Sequence, residues 1–162
     1  MLVGCFEPKG KPLDLEQLPE DFAFGLLPED WEHLEPILAN ALHRVPELEQ
    51  IGMKMLLNGP ESFTPDDRFL LGESPELRGF FLGCGMCSVG IATGGGAGRV
   101  LAEWVLSGEP SMDLWPVDVR RFALAQNTLR TLRERAPETL ALHYAVGFPG
   151  RQHQTARNLR LS

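Results

Sequence analysis

Eight glycines fall between Gly79 and Gly98, inside the run GFFLGCGMCSVGIATGGGAGRVLAEWVLSGEP at residues 79–110. Nothing else in the chain constrains its fold as strongly. Glycine reaches backbone conformations closed to other residues and costs about 0.5–1 kcal/mol relative to alanine inside a regular element, so such a cluster marks a tight connection or a close backbone approach. The run opens with the apolar, strand-like Phe80-Phe81-Leu82 and closes in an amphipathic helix with Val100, Leu101, Trp104 and Val105 as its buried stripe. Ser107-Gly108-Glu109-Pro110 puts glycine after the last apolar position and proline two residues on, which predicts the helix end. A strand-to-helix turn of this kind presents backbone N–H groups at the positive end of the helix dipole and suits an anionic or electron-rich ligand. The competing reading is structural: Gly94, Gly95, Gly96 and Gly98 let the helix pack tightly on a sheet.

Standard phosphate-binding motifs are incomplete. Gly94-Gly95-Gly96-Ala97-Gly98-Arg99 has arginine, and Gly83-Cys84-Gly85-Met86-Cys87-Ser88 has serine, where the dinucleotide fingerprint ends in glycine. No Gly-Lys-Ser/Thr follows the glycines. Cys84-Gly85-Met86-Cys87 matches C-x-x-C, but zinc needs four ligands and no second pair exists, so no metal is expected and two buried small thiols are the simpler reading. His33, His43, His143 and His153 have no Asp or Ser at telling spacing and read as surface or core residues. Glu61, Asp66 and Asp67 flank turns, and Asp66 reads as closing an Asx-type turn rather than as a base. No nucleophile constellation is visible, so catalytic residues remain unassigned.

Around this centre, 162 residues at 43% hydrophobic suffice for one domain with a core. No run of about 18 apolar residues exists and the first residues lack a signal peptide's pattern, so neither membrane insertion nor secretion is encoded. Cys5, Cys84 and Cys87 are too few for a disulfide scaffold. The net charge of −7 is uneven: residues 1–76 hold 16 acids and 5 bases, residues 77–162 hold 6 and 10. The later arginines (Arg120, Arg121, Arg130, Arg133, Arg135, Arg151, Arg157, Arg160) lack interleaved aromatics, which argues against nucleic acid and for solvated or domain-contacting surface.

The chain begins on the strand-like MLVGCFE, as if entered mid-fold. Phe22 to Gly25 also looks strand-like. Pro28-Glu29-Asp30-Trp31 starts a helix carrying Trp31, Leu34, Leu38, Ala41, Leu42 and Val45 until Pro46 stops it. Residues 51–83 alternate short apolar runs with turn signals and predict three short strands. A further helix is expected over residues 118–135, with Val119, Phe122, Ala125, Leu129 and Leu132 inward; regular structure is not expected past Pro137.

NGPESFTPDDRFLLGESPELRGFFLGCGMCSVGIATGGGAGRVLAEWVLSGEP resembles the C-terminal part of the flavin domain in the sarcosine dehydrogenase/dimethylglycine dehydrogenase family of FAD-dependent amine oxidoreductases, most of all its sarcosine dehydrogenase branch. FAFGLLPEDWEHLEPILANALHRVPELE is similar to the segment before it, and WPVDVRRF through TARNLRLS to the bridging segment leading to a folate-binding region. The resemblance covers almost the whole chain. It implies an α+β fold: part of a glutathione-reductase-like, DAO-type flavin domain, with a mixed sheet and packed helices but without the N-terminal dinucleotide-binding βαβ unit. Residues 1–112 would be that portion and residues 113–162 the bridging segment, with the tetrahydrofolate-binding domain absent.

By the same resemblance, the glycine loop passes over the flavin ring of FAD, and Gly85, Met86, Cys87, Ser88, Val89, Gly90 and Ile91 are the positions expected to touch it. The implied reaction is oxidative demethylation of a small N-methyl amino acid, sarcosine or dimethylglycine, by hydride transfer to FAD. Electrons then pass to an electron-transfer flavoprotein, in the mitochondrial matrix if the source is eukaryotic. The fragment alone would be inactive. No substrate carboxylate clamp is identifiable. The alternatives are a non-catalytic homologue, such as the pyruvate dehydrogenase phosphatase regulatory subunit, and a small module in which the glycine loop is purely structural.

Overall fold

The computed structural model describes residues 2–4, 7, 9–14, 16 and 18–147. Expectations placed on Cys5, His153, Arg151, Arg157, Arg160 and the tail beyond residue 147 lie outside the described residues. Among the described residues, three α-helices and one two-stranded sheet carry the fold, joined by short 3-10 turns and irregular segments.

Helix α1 (Trp31–Arg44) forms as expected, because the Asp30 carboxylate accepts from the backbone N–H of His33 at 3.1 Å and occupies one of the helix's free first-turn donors. Pro36 lies inside this helix. Ile37, absent from the expected stripe, is its buried residue, while Trp31 is half exposed.

Only two of the three expected strands are present among the described residues. Strand β1 (Leu70–Glu73) pairs antiparallel with β2 (Phe81–Cys84), with Leu71 opposite Gly83 and Gly72 opposite Leu82. Residues 52–63 run extended without a ladder partner: single bonds such as Leu27 N–H to Asn58 O (2.7 Å) and Cys87 N–H to Ser62 O (3.1 Å) hold them. Met53, Met55 and Leu57 consequently stay exposed, since apolar alternation supplies a strand's faces but not its neighbour. Residues 22–25 form no strand either. Phe22 N–H closes a turn onto Pro19 O, and Phe24 stands fully exposed with φ +53°.

Helix α2 (Gly90–Ser107) ends where the sequence predicts: Gly108 adopts φ +85° and donates its N–H to Trp104 O at 2.8 Å. Its start corrects the sequence reading. Gly94, Gly95, Gly96 and Gly98 belong to the helix, not to the loop before it, and a methyl group on any of them would have no atom within 4 Å. Tight packing of these glycines on a sheet is therefore not what this structure uses them for. The buried stripe is Ala97 and Trp104 with Val100 and Leu101 half-buried; Val105 is exposed.

The core gathers Leu71, Ala97, Trp104 and Leu114, flanked by Phe69, Phe81, Val100, Leu101 and Val117. Trp104 packs edge-on to Phe81 at 5.9 Å between centroids and lies against Gly72, whose backbone sits at φ +124°. A side chain at Gly72 would come within 2.8 Å of the indole, which explains a glycine inside a strand.

The last helix, α3 (Leu129–Leu142), begins eleven residues later than expected and passes through Pro137. Two local caps cause the shift. Asp118 accepts from Arg120 N–H at 2.7 Å and closes a 3-10 turn at Val119–Arg121, and Thr128 accepts from Thr131 N–H at 3.2 Å to start a fresh helix. Thr131 and Thr139 are buried on α3, whereas Leu129 is exposed. Among the described residues no helix is long and apolar enough to cross a membrane.

Candidate functional site

Between β2 and α2 the backbone makes a turn of unusual conformation. Gly85 (φ +61°), Cys87 (φ +45°) and Ser88 (φ +64°) all lie in the left-handed region, two of them with side chains. A left-handed non-glycine residue costs about 1–2 kcal/mol. Such strain persists only where surrounding contacts impose it, and it concentrates at functional sites.

Those contacts come from residues 61–64. Cys87 donates its N–H to Ser62 O at 3.1 Å, and its sulfur, 1% exposed, donates to Gly85 O at 3.1 Å and accepts from Thr64 N–H at 3.5 Å. Both oxygens of Glu61 accept from Ser88, one from the backbone N–H at 3.3 Å and one from the hydroxyl at 2.7 Å. Beneath the turn, Thr93 donates its hydroxyl to Val89 O at 2.8 Å. Burial pushes the Cys87 thiol up in pKa, with Thr64 working against it, so this sulfur is a packing group and not a reactive thiolate. Cys84 is exposed and Cys87 buried, and both are free thiols.

No side chain caps α2. Its first-turn amides at Gly90, Ile91 and Ala92 therefore lack an intrahelical acceptor and stand at the positive end of the dipole. Ile91 beside them is fully exposed. The seven positions named from the resemblance run through the turn (Gly85 to Val89) into the first turn of α2 (Gly90 and Ile91), and their roles divide. Cys87 and Ser88 spend their side chains on internal bonds and offer only backbone, Gly85, Met86, Val89 and Gly90 are half-buried, and Ile91 projects outward. An uncapped amide end of this kind suits an anionic or electron-rich group.

Sequence reasoning missed the second layer. The Thr64–Arg68 loop, just behind the site, is gripped by the region after α2. Arg121 makes a two-point fork onto Asp66 (2.8 and 2.9 Å) and donates to Arg68 O, while Arg135 and the Thr139 hydroxyl both donate to Pro65 O. The Nδ1 of His143 sits 2.8 Å from Asp67. Desolvation pushes the Asp66 carboxyl up, but the Arg121 guanidinium, Thr64 and Arg68 N–H more than offset it and hold it below the ordinary carboxylate range. Asp66 thus accepts from the Thr64 hydroxyl two residues earlier and also anchors a cation 55 residues away. Among the described residues no cluster of three or more His, Cys, Asp or Glu could hold a metal ion.

Comparison with known proteins finds matches along both parts of the chain. The FAD dependent oxidoreductase family matches residues 12–104, and the FAD dependent oxidoreductase central domain matches residues 107–162. Mouse mitochondrial sarcosine dehydrogenase is 46% identical over 98% of the chain, and 4-methylaminobutanoate oxidase (formaldehyde-forming) of Paenarthrobacter nicotinovorans is 44% identical over 99%. The mitochondrial pyruvate dehydrogenase phosphatase regulatory subunit of mouse is 42% identical over 100%. The chain spans 17%, 19% and 18% of the length of these three relatives, respectively. The turn and the helix behind it as far as Trp104 fall within the first match, and the gripping arginines within the second: the chain belongs to the FAD dependent oxidoreductase family.

Proposed function

We propose that the chain supplies the ring-facing turn of a flavoprotein that oxidatively demethylates a small N-methyl amino acid. In this reading Gly85, Met86, Cys87, Ser88, Val89, Gly90 and Ile91 lie against FAD. The observation that carries it is the strained left-handed turn feeding an uncapped helix start, in a chain of this family. Bound FAD supplies the two-electron oxidant that takes a hydride from the N-methyl carbon. The amides of Gly90, Ile91 and Ala92 stabilise negative charge without having to reorganise, because the helix already fixes them. Cys87 and Glu61 hold the backbone in place, and the exposed Ile91 offers an apolar face to the bound ring.

The substrate we assign is a secondary N-methylamine carrying a carboxylate. Relatives at 46% and 44% identity are named for such compounds, whereas the mouse dimethylglycine dehydrogenase is 28% identical over 140 residues. An electron-transfer flavoprotein as acceptor, transfer of the one-carbon product to tetrahydrofolate elsewhere in the protein, and a mitochondrial site of action in a eukaryote complete the proposal. Two of the relatives above carry mitochondrial names. The 42% identity to a regulatory subunit supports a second reading, in which the same fold serves as a binding surface.

Exchanging this chain for its counterpart in mouse sarcosine dehydrogenase, and separately in the mouse regulatory subunit, separates the two. Retention of flavin through gel filtration, with bleaching of its absorbance by sarcosine, supports the enzyme. A folded dehydrogenase chimera without flavin, beside a regulatory chimera that works, refutes it.

A further inference from the structure

Thr64 stands between the two layers of the site. It is 5% exposed, its N–H and hydroxyl lie 3.5 and 3.6 Å from the Cys87 sulfur, and its methyl abuts Gly85, where a side chain would come within 2.8 Å. On its other side the hydroxyl accepts from Arg68 N–H at 3.1 Å and lies 2.9 Å from Arg68 O and 3.1 Å from Asp66 Oδ1. Asp66 in turn takes the fork of Arg121, whose side chain is 9% exposed and also donates to Asp118 O. A continuous chain of polar contacts therefore runs from the region after α2 to Cys87, the first of the two strained non-glycine residues of the turn; Ser88 follows it directly and is held separately by Glu61.

We propose that Arg121 is a positioning residue for the turn at Cys87 and Ser88, acting through Asp66 and Thr64. A two-pronged guanidinium–carboxylate contact fixes direction as well as distance, which a single charge does not. With the fork in place, Asp66 is held, the Thr64 hydroxyl has fixed partners, and the sulfur pocket keeps its shape. Without it, the 64–68 loop loses its grip at Asp66 and Arg68, and the left-handed residues relax toward ordinary backbone. The consequence for FAD rests on the function proposed above; the positioning itself does not.

The test uses three variants of the full 162-residue chain. Arg121→Met removes the fork while keeping an aliphatic stem. Thr64→Val keeps the shape but removes the hydroxyl, and Thr64→Ser restores it. Amide hydrogen exchange at Cys87 and Ser88, and iodoacetamide modification of Cys87 resolved by peptide mass, report the turn; amides of residues 101–106 in α2 report global opening. Arg121→Met and Thr64→Val should each speed the turn's exchange and Cys87 modification about tenfold while the α2 amides hold their rates. Thr64→Ser should return the turn to the wild-type rate. Rates that rise uniformly through turn and helix, or that do not rise at all, overturn the proposal. If Arg121→Met does not fold, the Val/Ser pair decides by the same criteria. In the dehydrogenase chimera, Thr64→Val should also shift the visible flavin spectrum; a loosened turn with an unshifted spectrum supports the positioning and refutes the flavin contact.

Discussion

Replacing Gly72 with alanine tests the core at its tightest approach. The added carbon would sit 2.8 Å from Cζ3 and 2.9 Å from Cη2 of Trp104, inside van der Waals contact and against a ring that Phe81 already braces. Two penalties add. Forcing extra volume into a packed core costs about 1–3 kcal/mol. Holding alanine at φ +124° costs about 1–3 kcal/mol more. A total near 3 kcal/mol lowers the melting temperature of a chain this size by roughly 10 °C. Urea unfolding followed by far-UV circular dichroism measures the loss, and a Trp104→Phe background divides it. Phenylalanine lacks the far ring atoms, so the steric part disappears there and the backbone part remains, leaving a coupling of about 1–3 kcal/mol in the double-mutant cycle. An identical penalty for Gly72→Ala in both backgrounds would show that the indole is not what the glycine makes room for.

Glycines elsewhere should respond with opposite signs. Gly108→Ala, at φ +85° in open space, should cost about 1 kcal/mol, whereas Gly94→Ala or Gly95→Ala, inside α2 with nothing nearby, should each gain about 0.5–1 kcal/mol; equal signs in urea melts would contradict the assignment of the helix. Asp66 gives a pH prediction. Its pKa is lower folded than unfolded, so its contribution to stability is complete above the ordinary value of 3.8 and is lost as pH falls through the lowered folded value. The stability of Asp66→Asn should therefore lie below wild type at pH 6 and converge with it on acidification; parallel urea midpoints from pH 6 to 3 would rule out the Arg121 fork as the source.

What could be read in advance was what neighbouring residues decide. The helix start at Asp30-Trp31, the stop at Pro46 and the glycine after α2 each act within one helical turn, and all three are in place. The seven positions from Gly85 to Ile91 were named through the family resemblance, because Gly85 and Gly90 mark a connection but not what it touches. Less legible was everything that depends on distant partners. Continued apolar spacing from Val119 suggested one helix, but Asp118 and Thr128 cap two separate elements. Pro137 looked like a terminator, yet α3 continues to Leu142 although an interior proline costs a helix about 3 kcal/mol; Arg135 and Thr139 on either side of it are bonded to Pro65 O, a partner the sequence does not reveal. His143 lacked an acidic neighbour in sequence because its carboxylate, Asp67, lies 76 residues earlier. Residues 52–63 had a strand's alternation but no strand to join.

The grip on the 64–68 loop also bears on how such a chain can be divided or grown. Its anchors at Arg121, Arg135, Thr139 and His143 emerge from synthesis 53 to 76 residues after the loop they hold. A nascent chain ending near residue 106, at the seam between the two family matches, would carry every residue of the turn and none of the clasps behind it. The seam in ancestry is therefore a poor place for scissors. On the positioning proposed for Arg121, the turn reaches its final shape only after that arginine has been made.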